Sequence, residues 1–582
     1  RRGLGGYKEQ ELSNTAWAFA KAGRPSPELF ADISAEVVRR GLGRFKEQEL
    51  SNMAWAFAQA GRESTALFKA ISAEVVRRGL GDFKEQEIAN TAWAFAKAGR
   101  AAPALFDVIS AEVVRRGLGG FKEQHLSNTA WAFAKAGRAA PDLFVVILAE
   151  VVRRGLGRFK EQELSNTAWA FAQAGRASPA LFDILSAEVV RRGLSDFSEQ
   201  DLSTTAWAFA KAGRLAPALF DIISAEVVRR GLGDFNEQNL SNTAWAFAKA
   251  DRASLALFDL ISAEVVRRGL GDFNQQDLSN TAWAFAKAGR AAPALFDIIS
   301  AGMVRRGLGD FNAQNLSNTA WAFATASREA PALFDFISVE MVRRGLGDFK
   351  EQALSNTAWA FATAGRAAPA LFGLISAEVV RRGLGGFTKQ NLCNMAWAFA
   401  VLDPPSADAL FGTACFSTRC AQHFAASFSH SDLSQLHQWS LWREERRAPW
   451  PGLSESLRQA CYDAFVAREG VPSQLQSDVV REIRSTGDIA NVEEEHRCNV
   501  TGYSIDALVT LNDGKRVAVE VDGPFHFVGR SLQPNGATLL KHRQLRYFGW
   551  RLESVPYWEW DLSKELHWLQ KRNTTSTRNK QW

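Results

Sequence analysis

The tryptophan of a recurring Leu-Ser-Asn-Thr-Ala-Trp-Ala-Phe-Ala segment stands at Trp17, Trp55, Trp93, Trp131, Trp169, Trp207, Trp245, Trp283, Trp321, Trp359 and Trp397, always 38 residues apart. Polar residues recur at fixed offsets from it. Three residues earlier stand Asn14, Asn52, Asn90, Asn128, Asn166, Asn242, Asn280, Asn318, Asn356 and Asn394, with Thr204 as the break. Six residues earlier the type varies: Glu11, Glu49, Glu87, His125, Glu163, Asp201, Asn239, Asp277, Asn315, Ala353 and Asn391. Four residues later come Lys21, Gln59, Lys97, Lys135 and their counterparts, giving way to Thr325, Thr363 and Val401 in the last three copies. At 100° per residue, these three positions and the one just after Trp lie opposite the Leu, Ala and Phe positions, on one polar helix face. Base edges are distinguished by side-chain donors and acceptors, so a constant frame with a few varying polar sites suits a one-unit, one-base reader. Structural readings stand beside this one. The asparagines would also suit an inter-repeat amide network, and the Ala-Trp-Ala-Phe-Ala stripe has the spacing of a packed face. The Arg pair closing each copy would either complement a helix dipole or meet phosphate. The acidic entries at the varying site argue against a uniformly cationic groove, although a carboxylate accepts well from the cytosine amino group.

Two helical patterns fill each 38-residue unit. In the copy Phe235 to Asp272, the first runs from about Glu237 to Lys249 with Leu240, Ala244, Phe247 and Ala248 on one face. A glycine follows in most copies, such as Gly23 and Gly61, where a left-handed helix cap needs a residue without Cβ. Proline then opens the second helix, as Pro179 does, with Leu181, Phe182, Leu185 and Val189 on its apolar side and Arg191-Arg192-Gly193 at its end. Neither helix can bury its apolar face alone, so neighbouring copies must stack. The expected fold is mainly α: an α-solenoid of eleven two-helix repeats followed by a small α/β domain.

Composition narrows the class. The chain has 582 residues, 46% hydrophobic and 23% charged, enough for a large core and unlike a disordered chain. Charged residues interrupt every apolar run, so no bilayer-spanning segment or membrane insertion is expected. Five cysteines without a Cys-x-x-Cys pair indicate neither a disulfide framework nor a zinc site, and a reducing compartment is expected. A net charge of +6 tolerates a polyanion without requiring one. The opening Arg1-Arg2-Gly3-Leu4-Gly5-Gly6 reproduces the tail of a repeat, so an upstream segment carrying any targeting peptide is expected.

The repeat, quoted from Glu11 to Gly23 and from Asp201 to Gly213, resembles the octotricopeptide repeat family of organellar RNA-binding proteins over residues 1 to about 402. The stretch from Ser504-Ile505-Asp506-Ala507 through Val519-Glu520-Val521-Asp522-Gly523-Pro524-Phe525-His526-Phe527 to Lys541-His542-Arg543-Gln544-Leu545 and Val555-Pro556-Tyr557-Trp558-Glu559-Trp560 resembles the RAP domain. The organisation expected is repeats over 1–402, a helical connector over 403–472, a RAP domain with its preceding helix over 473–572, and a polar tail over 573–582. The resemblance implies single-stranded RNA as partner and sequence-selective binding in RNA processing, stability or translation. It implies the mitochondrial matrix or chloroplast stroma, within organellar ribonucleoprotein complexes, and no resident cofactor. The RNA-contacting candidates are the ten asparagines, Lys21, Lys97, Lys135, His526 and Arg543.

The C-terminal residues predict a helix over 473–485, a strand over 503–511, a turn at Asn512-Asp513-Gly514, a strand over 516–521, a helix over 537–548 and a strand over 552–557. This order resembles the core of restriction-endonuclease-like nucleases. There, strand-end carboxylates hold Mg²⁺ and a Lys two residues beyond the second carboxylate assists the attacking water. The resemblance places Asp506 and Glu520 as metal ligands, with Asp522 where that Lys would stand, so Lys541 or His526 must reach in for the catalytic set Asp506, Glu520, Asp522 and Lys541 to work. The alternative roles are structural: the three carboxylates fix the hairpin and the Gly523-Pro524 loop, while Lys541, His542, Arg543 and Arg546 bind phosphate. Binding without cleavage is favoured, with a Mg²⁺-dependent RNA endonuclease and a protein-binding solenoid scaffold as alternatives.

Overall fold

The structure, a computed structural model, describes residues 4–412, 415–424, 428–467, 472–529 and 531–562. The chain falls into two compact units, one ending at Arg268 and the other beginning at Gly269.

In the first unit each repeat folds as its pattern requires. Glu161–Gln173 and Pro179–Arg192 are typical: a 13-residue helix, a tight turn and a 14-residue helix. Gly175 closes the first helix at φ 65°, and Pro179 begins the second. First helices pack on the first helices of adjacent repeats, and second helices on second helices, in two layers. Phenylalanines join the layers edge to face, as Phe182 and Phe209 do at 4.9 Å between ring centres. The positions expected on the apolar faces, Leu181, Phe182, Leu185 and Val189 in one helix and Leu240, Ala244, Phe247 and Ala248 in another, are buried.

The Arg pairs have a division of labour. Arg192 donates to Glu188 at 2.6 Å, and its other two nitrogens donate to the carbonyls of Phe159 at 2.5 Å and Leu156 at 2.7 Å in the preceding repeat. Arg40, Arg78, Arg116, Arg154, Arg230 and Arg268 repeat this fork. The planar guanidinium suits it, because three fixed donors meet one carboxylate and two carbonyls together. These arginines are therefore inter-repeat staples rather than phosphate contacts. In the first unit the first Arg of each pair remains exposed and pairs with the same glutamate, as Arg191 does at 2.7 Å. Arg191's hydrogen bond, aided by Arg192 and opposed by burial, holds Glu188 at a pKa of about 2.

The second unit continues with repeats to the Lys389–Leu402 helix, then helices Ala407–Phe411, Cys415–Phe424, His430–Glu445 and Glu455–Val466. Trp439, Trp442 and Trp450 are buried there around Phe411, with centroid distances of 5.6, 5.9 and 5.4 Å, so the connector's aromatics form its core. The helix Gln474–Ser485 follows, then strands β1 (Ile489–Arg497), β2 (Ser504–Leu511) and β3 (Arg516–Asp522), the helix Gly536–Tyr547, β4 (Leu552–Pro556) and a last helix Tyr557–Leu562. The sheet order is β1-β2-β3-β4; β3 and β4 are parallel and the other pairs antiparallel. Side chains alternate across β3. Val517, Val519 and Val521 pack with Val479, Val480 and Ile483 of the Gln474–Ser485 helix, while Ala518 packs with Leu545 of the crossover helix on the other face. Glu520 and Asp522 share that second face and are buried. Strand β1 was not anticipated: Ile-Ala-Asn-Val-Glu-Glu-Glu-His-Arg has the charge of a sheet edge, where alternation is weak.

Candidate functional site

A first helix inside the array has a neighbour on each side and the second-helix layer beneath it, so only a narrow strip stays open. That geometry changes the sequence-based face at two positions. The residue after Trp, open in the first repeat as Ala18, is buried from Ala56 onward. The varying position six before Trp is partly or wholly covered past the first repeat and closes the helix start. Glu163 accepts from the Lys160 backbone N–H at 2.9 Å, Asp201 from Ser198 at 3.1 Å, His125 from Lys122 at 3.2 Å and Asn391 from Thr388 at 3.2 Å. Several also meet the preceding repeat's serine: Asp201 accepts from Ser165 Oγ at 2.8 Å, and Asn315 donates to Ser279 Oγ at 2.9 Å. Glu, Asp, Asn and His vary here because each offers the acceptor a capping box needs, although Asn239 instead accepts from Ser203 Oγ at 3.1 Å and Ala353 has no acceptor. The variation does not encode a ligand.

The open strip consists of the positions seven before, three before and four after Trp, with Trp itself; all fall within about 60° of one another at 100° per residue. The position seven before Trp is glutamine in every copy: Gln10, Gln48, Gln86, Gln124, Gln162, Gln200 and Gln238 in the first unit, then Gln276, Gln314, Gln352 and Gln390 in the second. All eleven are exposed. Sequence reading passed over this ladder, although its constancy on a helix surface was the available signal. The asparagines lie beside it, exposed at Asn14 and half-buried at Asn52, Asn90, Asn128, Asn166, Asn242, Asn280, Asn318, Asn356 and Asn394. Among the described residues the side-chain amides from Asn14 to Asn356 have no hydrogen-bond partner, so no inter-repeat amide network joins them; Asn394 accepts from Gln435 at 3.3 Å.

Tryptophan is more open than the packed stripe implies. From Trp17 to Trp245 each ring is half-buried, and in the first unit successive ring centres lie 6.0 to 6.3 Å apart. A flat base slipped between two rings needs about 7 Å, two contacts of roughly 3.5 Å. The rings thus floor the strip, and bases are not sandwiched between them. Trp397, in the second unit, is buried. Lys21, Lys97 and Lys135 are exposed along one edge, Lys21 lying 4.6 Å from the centre of the Trp17 ring.

The RAP-like module contrasts with this strip. Asp506 Oδ2 accepts from the Val521 N–H at 2.7 Å, and burial raises its pKa. Glu520 is fully buried; burial, opposed by Lys541, pushes its pKa up to about 8. Lys541 Nζ lies 2.5 Å from Glu520 Oε2, whereas Glu520 Oε1 has no partner among the described residues. Asp522 is also buried, but hydrogen bonds from His526 (2.6 Å), His542 and Ser554 outweigh burial and hold its carboxyl well below the ordinary range. His526 is partly exposed beside Phe525, whose side chain stands 92% open. Arg543 points inward, contrary to its expected RNA contact. It donates to Glu445 at 2.7 Å and to the carbonyls of Val401 (2.8 Å) and Ala400 at the C-terminal end of the Lys389–Leu402 helix, where helix carbonyls lack intrahelical partners. Lys541 and His542 are likewise turned inward, and of the four expected phosphate contacts Arg546 is the exposed one.

A Mg²⁺ site does not fit this donor set. Among the described residues no three His, Cys, Asp or Glu side chains converge to hold a metal. Asp522 has both oxygens engaged, and the Lys541 ammonium takes the counter-charge position on Glu520. The proposed catalytic set is spatially assembled, but as a buried charge network.

Comparison with known proteins agrees with this architecture. The RAP domain model matches residues 519–572. The model of the RNA-editing substrate-binding complex 6 protein matches residues 7–191 and 78–329, which together span more than half of the chain. A chloroplastic RAP domain-containing protein of Oryza sativa subsp. japonica is 35% identical over 89 residues, 15% of this chain and 13% of that protein's length. A homology model of the full-length AP-3 complex in an intermediate open conformation covers 82% of this chain and 96% of its own at 9% identity and a TM-score of 0.24, a likeness that assigns nothing. The chain thus belongs, through its repeats, to the family of the RNA-editing substrate-binding complex 6 protein; its helical repeats fit the octotricopeptide type, and it carries a RAP domain C-terminal to them.

Proposed function

We propose that the strip on the first helices binds single-stranded RNA, and that the protein serves organellar RNA processing, stability or translation without a resident cofactor. The observation that carries this reading is the line of exposed glutamines beside unpaired asparagines in the first unit: the same hydrogen-bonding groups offered at successive repeats suit a ligand that extends along that unit. Lys21, Lys97 and Lys135 supply charge for phosphate, and the aromatic floor supplies π-faces and apolar surface. The family names, RNA-editing substrate-binding and RAP, support the same ligand, and the chloroplastic relative supports a mitochondrial or plastid setting with ribonucleoprotein partners. Among the described residues no helix is long and apolar enough to cross a membrane.

The test is retention of a randomised end-labelled RNA pool on gels with Mg²⁺ present, comparing the parent chain with an Asp506→Ala/Glu520→Ala variant over a salt series. Equal retention of intact RNA, weakening steeply with salt, is expected. Cutting by the parent alone would make the carboxylates catalytic. Absence of retention by either protein would favour a protein-binding scaffold.

A further inference from the structure

We infer that the first unit is built to hold a run of one repeated base in single-stranded RNA. The inference rests on the RNA-binding reading above and specifies its ligand.

A reader of mixed sequence must change the groups it presents from one repeat to the next, because bases differ only in the donors and acceptors on their edges. The site that changes most between these repeats, six before Trp, is occupied in closing helix starts and meeting the previous repeat. What remains open hardly changes. Gln stands seven before Trp in all seven repeats of the first unit, and Asn stands three before Trp in six of them, Thr204 replacing it once. The two are four residues apart on one helix and therefore neighbours on its surface. Neither amide is engaged elsewhere in the fold among the described residues. Four after Trp, lysine alternates with glutamine at Gln59 and Gln173; its ammonium suits phosphate, the part of the ligand that is the same at every base.

A primary amide presents one acceptor oxygen and a donor nitrogen side by side. Its bidentate complement is a base edge with a donor beside an acceptor: adenine offers one through N6 with N7 or N1, cytosine through N4 with N3, and guanine and uracil through a ring N–H with a carbonyl, and the fixed position of the amides on the frame decides which base fits. Offered at each of seven repeats, the same amide pair favours the same base each time.

The experiment uses the full chain and four RNA homopolymers against a mixed-sequence strand of equal length, measured by filter retention at fixed salt. One homopolymer should bind at least ~100-fold more tightly than the mixed strand, since each lost bidentate pair is worth roughly tenfold. A Gln124→Ala/Asn128→Ala/Gln162→Ala/Asn166→Ala variant should weaken that homopolymer by a larger factor than the mixed strand, narrowing the gap between them. Thr204→Asn, which completes the ladder, should strengthen binding of the same homopolymer severalfold. Equal retention of all strands, or preference for the mixed strand, would overturn the inference while leaving RNA binding intact. Retention of no RNA would instead overturn the reading beneath it.

Discussion

The ladder strip and the carboxylate cluster use similar polar chemistry in opposite ways. On the strip, glutamines and asparagines keep their donors and acceptors open along one helix face. In the cluster, Asp506, Glu520 and Asp522 are turned inward and bound by a backbone N–H, a lysine, two histidines and a serine. Buried polar groups left unpaired are costly, whereas exposed ones are already solvated. Engagement within the fold therefore separates the two regions more sharply than residue type does: the cluster looks like chemistry in sequence and serves as framework in space, while the plain amides are free to meet a ligand.

The largest test of this contrast is Lys541→Met. At about pH 9, above the value of about 8 to which burial pushes Glu520, it leaves the ionised carboxylate without its counter-charge in a buried position, and breaking a buried pair by removing one partner costs about 3–5 kcal/mol. Denaturant unfolding of the second unit should show that loss, and Glu520→Gln/Lys541→Met should recover most of it. Below the lowered midpoint, retention of RNA by the strip should match the parent. A drop in retention without any loss of stability would make Lys541 a ligand contact and undo the contrast.

Arg543→Gln comes next. Its three hydrogen bonds hold Glu445 and the end of the Lys389–Leu402 helix, and bonds to charged groups are worth about 1.5–3 kcal/mol. Thermal melting should fall, with RNA retention unchanged. This is also where sequence reading was weakest. The repeat period, both helices, the glycine caps and most of the C-terminal strands follow from local spacing and turn chemistry. The inward aim of Arg543 depends on helix ends more than a hundred residues away, which no local pattern encodes. The capping role of the site six before Trp was legible in principle from its Glu, Asp, Asn and His, all acceptors three residues past a helix start. Counting one buried face per helix, where layered stacking covers three, obscured it.

Proton linkage gives an effect with a defined sign. Glu520, pushed up to about 8 from 4.5, holds a proton in the folded chain that the unfolded chain has released between those values. Its contribution to stability is thus full below pH 4.5 and lost as pH rises through about 8. Asp522, held below its usual 3.8, contributes above that value and loses its contribution as pH falls further. Unfolding free energy of the second unit should decline from pH 5 to pH 8, and Glu520→Gln should flatten that decline. An unchanged slope in the variant would show that Glu520 does not titrate in this window.

The smallest expected effect returns to the strip's flank. Repeats one to five begin their first helices with Lys8, Lys46, Lys84, Lys122 and Lys160, whereas repeat six has Ser198, whose hydroxyl accepts from the Asp201 N–H at 3.2 Å. A lysine offers no acceptor there and sets a cation against the positive end of the helix dipole. Lys160→Ser should therefore stabilise the first unit by about 0.5–1 kcal/mol, seen as a higher melting temperature. If these lysines meet phosphate, the same substitution should lower the slope of log affinity against log salt by about 0.7, the value for one contact on a single strand. A gain in stability with an unchanged slope would confine the ligand to the amide strip, and a gain with a reduced slope would extend it to the helix starts of the first five repeats.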